Sequence, residues 1–498
     1  MKAKKQYDII VAGSGMGGMT AAALLANRGL KVLVLEAAHA LGGCSSSYYR
    51  KGYWFESGAT TLIGFDKNHP LRYLEDQTGI SIPKKEIRPS MQVRQDNKVV
   101  TQFKDMDTWI EEISRVYGQR EQQKRFWTLA YDLSEVVWKV SLRNHFFPPV
   151  NWKDLVPLIT QNNPKDLWIL PYALRSVDDV MKDYHLDRPD FRRFVNEQLM
   201  ITAQSSAKET PFLFGAAALT YTNYSNYYVP GGLINMIHEI RDFILKKGGE
   251  VKTKCAVEQI NRTAKGYHVH TAESSCQAPV VLSNIPVWNM PYITSGEIKD
   301  YFTDESEEYQ QAWGAFTMGV VTNDNYPKNL PLHHQLHFRD SEAPKEIDSN
   351  SIFVSFSHSK DQQRAEKGKR VLNISMHTQP DFWFIDDQKE YEKRKREVSK
   401  YIVRKLDQLL PGFHSGDIIE QFSATPYTWQ NWVYRKKGRV GGIPQSMARS
   451  LTDWMPAETP FPGLFLCGDT VFPGQGIPGV ALSGINASKR ITRYLEQS

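Results

Sequence analysis

An α/β fold is predicted, with a parallel, nucleotide-binding sheet interleaved with an α+β second domain. Three features of the 498-residue sequence predict it. A strand, a glycine-rich turn, a helix and a second strand follow one another over residues 7–36. The same α/β patterning returns at 229–286, after a long helical and aromatic-rich stretch. A further strand and a second glycine-rich helix entry close the chain at 463–496.

Residues 7–12 form an apolar run of strand length. Gly13-Ser14-Gly15-Met16-Gly17-Gly18 is a G-x-G-x-x-G pattern with one extra glycine. The small residues 19–26 predict a helix that Gly29 ends, and residues 32–35 predict a second buried strand delivering Glu36. Gly13 permits the tight turn, Gly15 lets a pyrophosphate approach the backbone, and Gly18 lets helix and strand pack closely. The helix N-terminus favours phosphate through its free N–H groups and dipole. Glu36 falls eighteen residues after Gly18, where a carboxylate accepts hydrogen bonds from an adenosine ribose. The unit predicts a dinucleotide site.

The length exceeds a single core, so two domains are expected. A hydrophobic content of 41% with 12% aromatic residues fits a folded globule. A net charge of +6 with no dense basic block argues against a dedicated nucleic-acid binder. Cys44, Cys255, Cys276 and Cys467 lack C-x-x-C spacing, which fits a reducing compartment and offers neither a disulfide framework nor a zinc site. Residues 1–6 lead straight into the first strand, so no secretory leader is expected, and no apolar run approaches the ~18 residues a membrane span needs. The expected location is cytoplasmic, free or peripheral to a membrane surface.

Further along, Gly42-Gly43-Cys44-Ser45-Ser46-Ser47 and a strand ending near Gly58-Ala59-Thr60-Thr61 predict the second wall of the cofactor groove. From 81 to 223 the chain is helical and aromatic. Phe146, Phe147, Trp152, Leu167 and Trp168 suit a hydrophobic substrate wall, a membrane-interface patch or plain core. An amphipathic helix follows residue 233, with Met236, Ile240, Phe243 and Ile244 on one face. Residues 250–260 and 280–284 predict strands, the latter ending at Asn284. Residues 293–456 are strand-rich, with candidates at 315–321 and 351–356, and one strong helix spans 390–410. The basic run 393–396 of that helix suits a solvated face. His333, His334 and His337 lack the carboxylates or spacing of a metal site.

Residues 463–467 predict a strand containing a buried Cys467. Gly468-Asp469 and the entry Gly476-Ile477-Pro478-Gly479-Val480 then offer a carboxylate for ribityl hydroxyls and a positive helix end for the flavin edge that becomes anionic on reduction. These blocks divide the chain into a nucleotide-binding domain of 1–80, 225–290 and 457–498, and a substrate-binding domain of 81–224 and 291–456.

Together, the segments 41–55 and 468–476 resemble those of a flavoprotein superfamily that includes amine oxidases, phytoene desaturases, carotenoid isomerases and retinol saturases. The similarity spans nearly the whole chain and leans towards carotenoid isomerases and desaturases. Amine oxidases carry Gly-Gly-Arg where this chain has Gly42-Gly43-Cys44. The resemblance implies a Rossmann-like FAD-binding domain in which Gly13, Gly15, Met16, Gly17, Gly18 and Glu36 hold the ADP half. Gly42, Gly43, Cys44, Ser45 and Asn284 complete the cofactor groove, and Val257 contacts the adenine side through its backbone. Gly58, Ala59, Thr60 and Thr61 lie near the isoalloxazine; Gly468, Asp469, Gly476, Ile477, Pro478, Gly479 and Val480 serve the ribityl and pyrimidine end. No catalytic acid or base is identified, because in flavin hydride transfer the protein chiefly orients substrate. The implied activity is FAD-dependent desaturation or saturation of a long apolar polyene, with quinone or oxygen as electron acceptor. A redox-neutral isomerase using reduced FAD, a flavin amine oxidase and a noncatalytic lipid carrier are the alternatives.

Overall fold

The computed structural model describes residues 6–309, 311–339, 343–347, 349–450 and 452–497. Its organising element is a parallel five-stranded sheet in the order Leu464–Leu466, Val280–Ser283, Ile9–Ala12, Val32–Leu35, Glu250–Lys252. The first four strands are buried at every position, as continuous Val/Ile/Leu runs covered on both faces must be. Register places Ala12 beside both Leu35 and Ser283, and Ser283 beside Leu466. The residues that follow these strand ends, Gly13, Glu36, Asn284 and Cys467-Gly468, therefore emerge along one edge.

The helix Met16–Asn27 starts three residues earlier than the small-residue pattern suggests, because Gly15 is its N-cap and the glycine turn supplies its first turn. It is buried at all but its last residue and packs against the helices Ile234–Lys246 and Ile477–Gln497. Glycines set the distance of the second contact: a Cβ on Gly484 would lie 2.2 Å from the carbonyl oxygen of Gly17. On the helix Ile234–Lys246, Ile237 joins Met236, Ile240 and Ile244 in the core, while Phe243 is only partly buried.

A seven-stranded sheet runs Ile418–Ala424, Gly314–Asn323, Lys369–Thr378, Ser351–Phe356, His333–His337, Met91–Gln95, Lys98–Gln102. It is antiparallel except where His333–His337 meets Met91–Gln95. The helix Gln388–Leu409 buries Val398, Ile402 and Leu406 in the core shared with this sheet. Helices between residues 106 and 219 form a separate aromatic core around Trp109, Trp127, Phe194 and Phe212.

The aromatic stretch divides in two. Phe146 is buried beneath Arg493, 5.1 Å from its ring, and Phe147 packs edge-on against Phe472 at 4.7 Å, so neither is an interfacial side chain. Trp152, Leu167 and Trp168 are exposed, by 70%, 51% and 40%. Buried Arg490 anchors the base of this segment, donating to the carbonyls of His145 and Pro148 and pairing with buried Asp154. Among the described residues, no helix is long and apolar enough to cross a membrane.

Candidate functional site

A cavity of about 1260 Å³ runs along the carboxyl edge of the parallel sheet and continues onto the seven-stranded sheet. Open α/β sheets bind ligands at this edge. The first wall is the glycine turn. Gly13 and Gly15 line it, and a Cβ on Gly15 would meet Asn284 Nδ2 at 2.4 Å, so a side chain there would have to displace the Asn284 amide. Asn284 Oδ1 accepts from Gly18 N at 3.0 Å, tying the helix start to the neighbouring strand. Met16 and Gly15 present the positive helix end to the groove.

Glu36 is less free than its sequence position suggests. Its Oε2 accepts from Ser14 N (2.8 Å) and Ser14 Oγ (2.6 Å), and its Oε1 accepts from Ala38 N (2.8 Å). The carboxylate thus braces the glycine turn while still lining the cavity. Oε2 is filled by its two Ser14 donors, whereas Oε1 keeps a second lone pair for a ligand hydroxyl.

Gly42, Gly43, Cys44 and Ser45 form the second wall, with Gly58, Ala59, Thr60 and Thr61 beside them. Glu56 anchors the intervening hairpin. It pairs with buried Arg364 at 2.9 Å and accepts from Ser47 Oγ and Leu233 N. Val257 lines the far end of the groove, while Gly468, Asp469, Gly476, Ile477 and Val480 line the third wall. Four expected residues stand behind the surface. Gly17 and Gly18 serve helix packing, Pro478 abuts Gly64, and Gly479 abuts Gly474. Asp469 is not a free carboxylate: Arg435 Nη2 donates to its Oδ2 at 2.7 Å. Burial raises the thiol pKa of both Cys44 and Cys467, so neither is a thiolate.

Beyond the groove the cavity is walled by Ala315, Thr317, Phe353, Met376, Phe422 and Trp429, a largely apolar lining. Of the histidines on the strand His333–His337, His333 connects to this wall through Ser355 and Thr60. His333 Nδ1 contacts Ser355 Oγ at 2.8 Å, and Ser355 Oγ donates to Thr60 Oγ1 at 2.8 Å. Since the serine proton is committed to Thr60, His333 donates from Nδ1, and the Thr60 hydroxyl, which lines the cavity, keeps its own proton for another acceptor. Nearby, Ser351 Oγ donates to buried Glu197 at 2.6 Å, and burial raises the pKa of that acid. His377, which also lines the cavity, is lowered to about 4 by burial and is neutral near pH 7. Sequence reading missed residues 428–436, which contribute Trp429, Trp432, Tyr434 and Arg435 to the walls. Their only signal is aromatic density after the Thr425-Pro426 helix start.

A parallel sheet with a glycine-rich turn, a carboxylate at the second strand end and a second glycine-rich helix entry defines a dinucleotide-dependent flavoprotein. The model of the family of flavin containing amine oxidoreductases matches residues 16–492, and the chain belongs to that family. Its flavin is FAD. The chain is 26% identical to the chloroplastic prolycopene isomerase of Daucus carota, over 99% of this chain and 81% of that one. It is 23% identical to the all-trans-retinol 13,14-reductase of Danio rerio, over 93% and 82%. An oxidoreductase from Methanosarcina mazei shares the fold, with a TM-score of 0.62 and 17% identity over 97% of this chain and 99% of that one.

Proposed function

We propose that the protein is an FAD-dependent oxidoreductase that desaturates or saturates carbon–carbon bonds of a long, apolar, polyene-like substrate. The observation that carries this reading is the continuity of the cofactor groove with an apolar cavity that a small polar amine does not need. By their names, the two relatives act on prolycopene and on all-trans-retinol. FAD, when bound, supplies hydride exchange at its N5 position. The residues proposed to hold its ADP half are Gly13, Gly15, Met16 and Glu36; Asn284, Gly468 and Val480 border the remainder. Phe353, Met376, Phe422 and Trp429 orient the chain and exclude water. The Thr60 hydroxyl, aimed by Ser355 and His333, is the hydrogen-bond donor at the junction of groove and cavity.

Redox-neutral cis–trans isomerisation is the second reading, favoured by the similarity to a prolycopene isomerase along nearly the full chain. Anaerobic mixing of oxidised enzyme with a candidate polyene separates the two. Bleaching of the flavin band near 450 nm (roughly the usual position for an oxidised flavin) with a longer product chromophore marks desaturation. Product of unchanged mass, formed only on prereduced enzyme whose flavin stays reduced, would establish isomerisation instead.

Such a substrate is scarcely soluble, so the enzyme is also proposed to collect it from a bilayer surface. Nine of the seventeen large hydrophobic side chains exposed among the described residues fall between 150 and 174, anchored from beneath by Arg490. Replacing Trp152, Leu167 and Trp168 by Ser should abolish co-sedimentation with liposomes. Wild-type protein that stays in solution beside liposomes at low salt would sink the membrane reading.

A further inference from the structure

A buried cation stands beside the place where the cofactor groove lacks one. Cys44 occupies the position of the arginine in the Gly-Gly-Arg of amine oxidases, and its thiol, raised in pKa by burial, brings no charge. The glycine turn 13–18 holds no basic residue. Yet a dinucleotide brings its phosphate charges to this end of the groove. Among the described residues, three Lys or Arg side chains line the cavity. Arg50 is exposed and lies 4.2 Å from the ring of Phe422, and half-buried Lys436 lies 4.2 Å from that of Tyr292. Only Arg435 is buried, and it is near enough to Cys44 to draw the thiol pKa back down.

Position and orientation both suit a diphosphate. A Cβ on Gly43 would lie 3.7 Å from Gly15 Cα, and one on Gly17 would lie 3.1 Å from Gly468 N, so three glycine segments converge here. Cys44 and Asp469 are the residues that follow two of those segments, and Arg435 acts on both. Its Nη2 is held by Asp469 and its Nε by the carbonyl of Arg439, whereas its Nη1 has no hydrogen-bond partner among the described residues. A guanidinium fixed along one edge keeps its other donors in a set direction, the arrangement that suits a bidentate anion.

We propose that Arg435 is the charged donor to the diphosphate of FAD, standing in from a distant part of the chain for the arginine replaced by Cys44. This rests on FAD being the cofactor. The test is flavin affinity, measured on apoprotein with FAD and with riboflavin, which has no phosphate. Arg435→Gln should weaken FAD roughly 10- to 100-fold, the range of one charge-assisted hydrogen bond, and leave riboflavin unchanged. Adding Cys44→Arg to that variant should restore most of the FAD affinity. Equal losses for both flavins would overturn the proposal. So would recovery by Asp469→Asn rather than by Cys44→Arg, since Arg435 would then only neutralise Asp469. If Arg435→Gln does not fold, Arg435→Lys decides: it should show a smaller loss confined to FAD, and a loss shared by riboflavin refutes the assignment. Wild-type protein that binds riboflavin as tightly as FAD would instead defeat the dinucleotide reading itself.

Discussion

Glu36→Gln separates two roles that the structure gives to one carboxylate. Glu36 accepts three hydrogen bonds within the protein, two from Ser14 and one from Ala38 N, and it is buried. A glutamine there has one acceptor oxygen. Turned towards Ser14, it confronts the Ala38 N–H with its own NH₂; turned the other way, it confronts both Ser14 donors. Losing a charge-assisted bond to a buried donor costs about 1.5–3 kcal/mol. Spread over the unfolding entropy of a chain this long, that lowers Tm by about 1.5–3 °C. FAD affinity should fall about 10- to 100-fold in addition, because an adenosine ribose loses its anionic acceptor. Calorimetry of the apoprotein reads the first effect and flavin titration the second. Ser14→Ala, which removes the Oγ bonds to Glu36 and from Gly42 N but leaves Gly42 N its backbone bond to the Ser14 carbonyl, should lower Tm while FAD binding is retained. A Glu36→Gln protein with lowered Tm and FAD affinity within about threefold of wild type would show that Glu36 only braces the turn.

Acid should destabilise the fold steeply. Burial lowers His69 and His333 to about 4, and His334 and His337 to about 3. All four lie below the unfolded value near 6.5, so between about pH 6.5 and 4 the unfolded chain binds protons that the folded chain does not. Stability is therefore present above that window and lost as pH falls through it, at no more than about 5 kcal/mol per pH unit for the four together; denaturant midpoints that stay level from about pH 7 to 5 would contradict burial of neutral imidazoles. Gly484→Ala should cost about 1–3 kcal/mol through overpacking against Gly17, whereas Gly416→Ala, whose Cβ meets nothing within 4 Å, should be near neutral in the same melts. Thr60→Val and Ser355→Ala should each lower turnover roughly tenfold, the worth of one hydrogen bond, with Thr60→Ser restoring it; wild-type turnover in Ser355→Ala would remove the relay from the mechanism.

The parallel sheet and its cofactor edge were legible in the chain because their signals are local. A continuous apolar strand, glycines at fixed spacing and a small-residue helix each carry their physical cause within a few residues of one another. The strands at 351–356 and 314–323 and the helix at 388–409 were visible for the same reason, through periodicity and end signals. What those residues touch depends on sequence-distant partners. Asp469 looked like a free ribityl ligand until folding brought Arg435 to it, and Glu36 like an open acceptor until the turn placed Ser14 against it. His333 resembled part of a histidine cluster, but alternation along its strand directs it to Ser355 and thence to Thr60, almost three hundred residues away. Phe146 and Trp152 are alike in composition and neighbourhood, yet Phe146 is buried under Arg493 while Trp152 stands exposed. Strand, turn and helix follow from neighbouring residues, whereas burial, charge pairing and hydrogen-bond direction arise between segments, and only tertiary structure brings those segments together.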